Sequence, residues 1–219
     1  MKPPVITYVA IWVQALPAFA LALTTRRTRA GALIALGTIL SLFANTIGWI
    51  LADLVGNNMI VTYLSSPLTA VCYIWAMSDW QVSAREMRWY RRGAIGFVVV
   101  WAVLVVLVED VRNFGLATGP VFSLTLLAIG TWTLLRRTHV IEAGPFTGSD
   151  WFWVSTGLAI NGAATALSTP LGAILIERQR YDLFNVAWQV RAVLVTISYL
   201  FMSWGIYRGP AAQAFATDD

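Results

Sequence analysis

Seven long apolar stretches, separated by short polar segments, make up almost the whole chain of 219 residues. A helix crosses the hydrocarbon core of a bilayer with about 20 apolar residues. The pattern therefore predicts an all-α, polytopic membrane protein with seven transmembrane helices, here called spans 1 to 7. Their predicted ranges are 3–25, 30–52, 54–78, 93–108, 113–135, 151–176 and 183–207.

The composition agrees with an integral membrane protein. Hydrophobic residues make up 58% of the chain and charged residues only 12%, whereas a soluble domain carries about 25% charged residues. The longest predicted loops, 79–92 and 136–150, are too short to fold alone. We expect one transmembrane domain over residues 1–208, in contact with the lipid bilayer, and a disordered cytoplasmic tail over residues 209–219.

The basic residues predict an orientation, because cytoplasmic segments of membrane proteins are enriched in Lys and Arg. With the N-terminus outside, ten basic residues fall on the cytoplasmic side: Arg26, Arg27, Arg29, Arg85, Arg88, Arg91, Arg92, Arg136, Arg137 and Arg208. Four fall outside: Lys2, Arg112, Arg178 and Arg180. This asymmetry favours an N-out, C-in protein of the cell (inner) membrane.

Span 7 carries the one full charge that lies deep in an apolar stretch, Arg191. It is expected about 12 Å in from the start of the span. An ionised side chain there costs roughly 2.5–3.5 kcal/mol on insertion scales unless it meets a partner or water. It can bind an anionic ligand in a water-filled cavity, or it can form a structural ion pair with Asp53 or Glu109, which are predicted at the same face of the membrane.

Other polar side chains are predicted at the same depth as Arg191, in the outer half to the middle of the membrane. They are Gln14, Asn45, Ser65, Ser66 and Asn161. Together with Arg191 they can line a ligand-binding cavity for a neutral or anionic solute. Each one can instead form an interhelical hydrogen bond, worth on average about 0.6 kcal/mol.

The chain is rich in Trp, with 11 residues of this type. Trp80, Trp89, Trp151, Trp153 and Trp204 are predicted near the membrane surfaces, where Trp anchors a helix. Six others lie inside spans, where they can stack on a flat ligand or pack against helices and lipid: Trp12, Trp49, Trp75, Trp101, Trp132 and Trp188.

Patterns typical of enzymes and of cofactor sites are missing from the sequence. The single His, His139, falls in a predicted loop, and the single Cys, Cys72, lies in an apolar stretch. We find no metal-ligand cluster, nucleophile elbow or phosphate loop. We therefore predict that the protein is not an enzyme and uses no metal or other cofactor. We attribute its net charge of +4 to basic residues that set the orientation in the membrane and contact lipid head groups. We do not expect nucleic acid as a partner.

Short sequence matches between spans suggest an internal repeat. Two units of three helices, spans 1 to 3 and spans 5 to 7, would be joined by span 4. Spans 1 and 5 contain Pro17-Ala-Phe-Ala-Leu and Pro120-Val-Phe-Ser-Leu, and each ends in a pair of arginines. Spans 2 and 6 place Asn45 and Asn161 in stripes of small residues. Repeat-built transporters bind their substrate near the midplane between the repeats.

This 3+1+3, N-out plan resembles that of the sugar-efflux (SWEET) and PQ-loop transporters. Pro17 before a basic loop is similar to their repeat-opening proline, and Asn185 with Tyr199 is similar to part of their last helix. The chain has no Pro-Gln pair in span 1 or 5, and its loop between spans 5 and 6 is longer. The resemblance implies a transporter-like helix plan and no particular site residue.

The helix number and orientation also resemble those of the microbial rhodopsins. The segment YLSSPL, residues 63–68, is similar to their Thr-Thr-Pro segment in the third helix. A retinal Schiff base needs an intramembrane lysine, and the only lysine here is Lys2. Covalent retinal is thus excluded, and a non-covalent pigment stays open.

Two functional hypotheses follow. The first is a small-molecule carrier or facilitator with its site among spans 1, 2, 3, 6 and 7, and with Pro17, Pro67, Pro120 and Pro170 as bend points. The second is a ligand- or pigment-binding sensory or accessory subunit of a membrane complex. A purely structural protein is a third alternative. The protein can form a homo-oligomer or associate with a partner in a membrane complex. The small molecule that it binds is unknown at this point.

Overall fold

A computed structural model describes residues 5–55, 59–109, 117–140 and 146–209, without the side chains of residues 52, 53, 55, 59, 140 and 146. Within these ranges seven helices are long and apolar enough to cross a membrane. The prediction of an all-helical chain with seven candidate spans is thus confirmed. The predicted tail lies outside the described residues, except for Gly209.

The spans are sequential helices with short connections. Span 1 consists of helix Val5–Trp12, a 3-10 turn Val13–Ala15 and helix Leu16–Leu23. Spans 2 to 7 are Arg29–Val55, Met59–Asp79, Ala84–Leu107, Thr118–Val140, Asp150–Glu177 and Tyr181–Arg208, and a 3-10 turn Phe146–Gly148 precedes span 6.

Pro17 accounts for the 3-10 turn inside span 1. A proline within a helix lacks an N–H and clashes with the carbonyl group four residues earlier, here that of Val13. The chain tightens at that position, and the Leu16 N–H bonds to the Val13 carbonyl instead. Among the prolines predicted as bend points, Pro67 and Pro170 lie inside continuous helices, and Pro120 lies in the first turn of span 5, where proline is tolerated.

Span 4 begins nine residues before its predicted start, because a capping motif at Ser83 starts the helix there. Ser83 precedes the helix and its side chain accepts a hydrogen bond from the Glu86 N–H at 3.2 Å. A Ser followed three residues later by Glu is the signature of a capping box. Most of the segment predicted as a basic loop is therefore the first turns of a helix.

Span 5 likewise extends past its predicted end. It includes Arg136 and Arg137, and His139 lies in its last turn rather than in a loop. Basic side chains in the last turn interact favourably with the negative end of the helix dipole, so these residues continue the helix instead of ending it.

Six of the spans form a ring. Neighbours pack in the order 1, 2, 3, 5, 6, 7 and back to 1, while span 4 packs mainly against span 3 on the outside. The outer position of span 4 agrees with its many exposed apolar side chains, among them Ile95, Val99, Val103 and Val106. The duplication inferred from sequence stays a prediction.

One half of this ring is closely packed. Its buried core includes Ile34, Met77, Val154, Met202 and Ile206. These residues lie toward the ends of the spans at which Arg29, Asp79, Asp150 and Arg208 stand. We call this the packed half, and the opposite half, which contains Trp49, Thr62, Thr118 and Trp188, the open half.

Polar contacts tie the spans together at the end of the packed half. The Asp79 carboxylate faces Arg29 of span 2 and Arg91 of span 4 at 3.7 and 3.5 Å. Gln81 donates to the Thr133 hydroxyl at 3.2 Å, and Arg137 donates to the Trp80 carbonyl. Opening this half would require several of these contacts to break.

Glycines bring spans 5, 6 and 7 close together. A Cβ atom at Gly130 would lie 2.7 Å from the Ser155 carbonyl oxygen, and one at Gly157 would lie 2.6 Å from that of Ser198. A Cβ atom at Gly162 would collide with the backbone of Leu127. Small residues at such crossings allow membrane helices to pack through their backbones.

Candidate functional site

A cavity of about 490 Å³ lies inside the ring of six spans, in the open half. Every residue predicted to bind a ligand lines it: Gln14, Asn45, Ser65, Ser66, Asn161 and Arg191. Spans 1, 2, 3, 6 and 7 all contribute to its wall. The structure thus brings the predicted set together around one cavity, and their role in binding stays a prediction.

Span 3 shows how the cavity deepens from its mouth to its floor. Thr62 is exposed and Ser65 and Ser66 are half-buried, whereas Thr69 and Tyr73 are each 1% exposed. At 1.5 Å per residue, the path from Thr62 to Tyr73 measures about 16 Å along the helix. The floor is formed by Tyr73, Leu126 and Tyr199, directly above the core of the packed half.

Arg191 is the only charged side chain among the described residues of the wall. Its guanidinium carbon lies 4.6 Å from the centre of the Trp188 ring, one helical turn away. A cation over the face of an indole ring is stabilised by the ring quadrupole.

Three buried polar atoms of the wall have no hydrogen-bond partner in the described part of the chain. They are the Thr7 hydroxyl, the Tyr73 hydroxyl and Nε of Arg191. Tyr199 and Ser41 are polar neighbours of Tyr73. Buried polar groups are almost always paired with protein or with water, so this wall is built to contact water or a polar ligand.

Other polar side chains of the wall are already paired. Asn45 donates to the Gln14 side-chain oxygen at 3.1 Å across spans 1 and 2, and the Ser41 and Thr69 hydroxyls lie 3.5 Å apart. Ser65 bonds within its own helix, to the Thr62 carbonyl. The same side chains therefore form interhelical hydrogen bonds and line the cavity. Gln14 lies in the 3-10 turn that Pro17 causes in span 1.

Glu109, predicted as an ion-pair partner of Arg191, has other contacts. Its carboxylate accepts hydrogen bonds from the Ala117 and Thr118 N–H groups at 2.7 Å and from the Thr118 hydroxyl at 2.8 Å. It thus caps the start of span 5. The described ion pairs do not include Arg191 with Glu109. The side chain of Asp53, the other predicted partner, lies outside the described residues.

These contacts change the acidity of Glu109. Burial raises its pKa, but the hydrogen bonds from Thr118, Tyr63 and Ala117 stabilise the carboxylate and outweigh that effect, so the pKa is lower than usual. The negative charge also sits at the positive end of the helix dipole of span 5. The N-terminus of that helix, although close to the cavity, is therefore already neutralised.

The tryptophans divide into two groups. Trp49, Trp101 and Trp188 line the cavity, whereas Trp12, Trp75 and Trp132 are exposed on the outside of the ring. Of the predicted surface anchors, Trp89 and Trp204 are exposed, but Trp80 and Trp151 are 8% and 4% exposed and belong to the core. The anchor prediction is wrong for these two, because their rings pack into the core instead of facing outward.

Sequence reasoning missed span 5 as part of the site. Its wall residues are Thr118, Gly119, Phe122, Ser123 and Leu126. It also did not assign the two tyrosines of the floor, Tyr73 and Tyr199, to the site. The signal was present in the stripe Gly119, Ser123 and Leu126, which follows helical spacing on one face.

Comparisons with protein-family models, curated proteins and solved structures find no match for this chain. The resemblance of its helix plan to transporters and rhodopsins rests on the sequence pattern. Among the described residues, no group of three His, Cys, Asp or Glu side chains is placed to hold a metal ion.

Proposed function

We propose that the protein is a carrier or facilitator for a small molecule, with its binding site in the central cavity. One observation carries this proposal: the cavity is closed toward one end of the spans by a packed core and is lined toward the other end by the exposed Thr62. Carriers that work by alternating access expose a central site to one side at a time. The Pro17 break, next to Gln14 in the wall, offers a place for span 1 to bend.

We further propose that the protein lies in the cell (inner) membrane with its N-terminus outside, as the distribution of arginines suggests. The packed half then faces the cytoplasm and the open half faces outward. The ten basic residues assigned to the cytoplasm stand at the end of the packed half, and Arg178 and Arg180 stand at the other end.

Thiol labelling tests this orientation. Cys72 is 9% exposed, so Cys72→Ala gives a thiol-free background. In intact cells, a membrane-impermeant maleimide should label Thr62→Cys at the mouth of the cavity and should spare Ser155→Cys, which is fully buried in the packed half. Labelling of Thr62→Cys only after the cells are broken would reverse the proposed orientation.

Transport itself is tested in proteoliposomes. Radiolabelled hippurate, gluconate, glucose and glycerol are offered to vesicles with and without protein, at equal lipid. We expect faster uptake of at least one solute, and a loss of that uptake when a bulky maleimide is attached to Thr62→Cys. The same reagent on the thiol-free parent is the control. Equal uptake by both kinds of vesicle for every solute would count against a carrier.

A second candidate function is a ligand- or pigment-binding subunit of a membrane complex. It is favoured by Trp49, Trp101 and Trp188, which line the cavity and can stack on a flat molecule. The absorption spectrum of protein purified in mild detergent, with mass spectrometry of co-purified small molecules, separates the two. A stoichiometric chromophore or ligand favours the subunit, and a colourless, ligand-free protein favours the carrier.

A further inference from the structure

We propose that the ligand of the central cavity is an organic monocarboxylate, whose carboxylate group pairs with Arg191. This inference deepens the proposed function, since it names the class of solute, and it rests on that function only for the step of transport. Binding itself can occur in a carrier or in a sensory subunit.

Charge is the first argument. Arg191 is the single charge on the described wall, and an unpaired charge in the interior of a membrane protein is costly. The described acids nearby are engaged elsewhere, since Glu109 caps span 5 and Asp182 pairs with Arg180 at 3.3 Å. One positive charge is neutralised by one negative charge, which favours a monoanion over a phosphate dianion.

Geometry is the second argument. A guanidinium group binds a carboxylate edge-on, through two parallel N–H···O bonds in its own plane. The guanidinium carbon of Arg191 lies 4.6 Å from the centre of the Trp188 ring, and its Nε is buried without a hydrogen-bond partner in the described part of the chain. The N–H group at Nε is therefore open to a carboxylate oxygen. Trp188 also restricts the side chain, so that less freedom is lost on binding.

The rest of the wall fits the body of such a molecule. Phe122, Val195 and Leu126 offer apolar surface in the wall. The Tyr73 hydroxyl, 1% exposed and a neighbour of Tyr199 and Ser41, is a polar group at the floor. Binding sites for small molecules typically combine an apolar wall with a few convergent polar groups.

Equilibrium dialysis of the full-length protein in a neutral detergent tests the proposal without any transport step. The probes are radiolabelled benzoate, hippurate and gluconate, each compared with its uncharged amide. We expect saturable binding of at least one acid, and no competition by the matching amide. Arg191→Gln should weaken the binding about 10- to 100-fold, as expected for loss of a charge-assisted hydrogen bond.

Controls separate a specific pair from general effects of charge. Arg180→Gln, in an exposed arginine at the same end of the spans, should leave binding unchanged, and Arg191→Lys should restore only part of it because the planar fork is lost. Asp53→Asn should have no effect. If Asp53→Asn strengthens binding several-fold, Asp53 competes with the ligand for Arg191, and the argument from an unpaired charge is wrong while the carboxylate site is kept.

Two outcomes would overturn the proposal. One is that none of the three acids binds saturably to the parent protein. The other is that Arg191→Gln binds an acid as well as the parent does, or that the amide competes equally. Binding without uptake in proteoliposomes would instead reject the carrier and keep the carboxylate site. Uptake of glucose or glycerol without binding of any acid would keep the carrier and reject the carboxylate site.

Discussion

At the scale of single residues, the physical problem of this protein is Arg191. A guanidinium group surrounded by helices can be retained for stability only if it is paired, and breaking a buried pair costs about 3–5 kcal/mol. Here its described contact is with the Trp188 ring, which supplies about 0.5–2 kcal/mol. This contact is smaller than that cost, which supports the proposal that Arg191 binds a ligand.

Replacement of Arg191 by Leu should consequently stabilise the ligand-free protein. Removing a central charge recovers roughly 2.5–3.5 kcal/mol of insertion cost, reduced by the lost contact with Trp188. We expect a higher melting temperature in neutral detergent together with loss of carboxylate binding. Arg180→Leu serves as the control and should change neither. A clearly lower melting temperature for Arg191→Leu would indicate a structural ion pair.

The residue scale also marks where sequence reasoning succeeds. Arg191, Asn45 and Asn161 could be identified because polar groups inside apolar stretches need a reason, and all three line the cavity. Tyr73 and Tyr199 could not, because a tyrosine in a span is equally at home at the membrane surface. Only the packing of the six spans turns both rings toward the floor.

At the scale of elements, capping and close packing decide where helices begin and how near they come. Span 5 begins at Thr118 with its first N–H groups bonded to Glu109 from the end of span 4. The capping box at Ser83 could have been read from the sequence. The Glu109 cap could not, since its acceptor and donors lie eight and nine residues apart across a connection.

The cap predicts a pH dependence of stability. Because the pKa of folded Glu109 is below its unfolded value of about 4.3, its contribution is complete above that pH and is lost as the pH falls through the folded-state pKa. Glu109→Gln should thus lower the melting temperature at pH 7, and the difference from the parent should shrink at pH 3. The exposed Glu177→Gln is the control. An equal difference at both pH values would contradict this account.

Helix packing gives a prediction with a matched control. Gly162→Ala places a methyl group against the Leu127 backbone of span 5, where neither partner can yield, and should cost about 1–3 kcal/mol. Gly96→Ala adds the same methyl group to span 4, where it meets nothing within 4 Å, and should be neutral or stabilise by up to about 1 kcal/mol. Thermal unfolding in detergent measures both. Equal destabilisation would show that the spans pack differently.

At the scale of the whole molecule, the asymmetry between the two halves could not be predicted from sequence. The apolar stretches predicted the seven spans, because each span must match the bilayer by itself. Their ends were less accurate, since span 4 starts nine residues before its predicted start and span 5 is shifted toward the C-terminus. Which spans surround a cavity depends on their mutual packing. Span 5 and its polar face were left out for that reason, and span 4 lies outside the ring even though it stands at the middle of the chain.

The same asymmetry, combined with a single charge in the cavity, predicts how transport would be coupled. If the open half closes without an anion, Arg191 is sealed away from water and left unpaired, which costs about 3–5 kcal/mol. This cost slows the closure of the ligand-free cavity by a factor of at least about 100. The carrier should therefore exchange one anion for another.

Uptake of labelled hippurate into proteoliposomes should rise at least about tenfold when the lumen contains unlabelled hippurate instead of hippuramide. In Arg191→Gln the empty cavity is neutral, so the residual uptake should no longer depend on internal hippurate. If uptake by the parent is the same with either lumen, the unpaired charge does not control closure, and the cavity must close around Arg191 together with water or an acid of the protein itself.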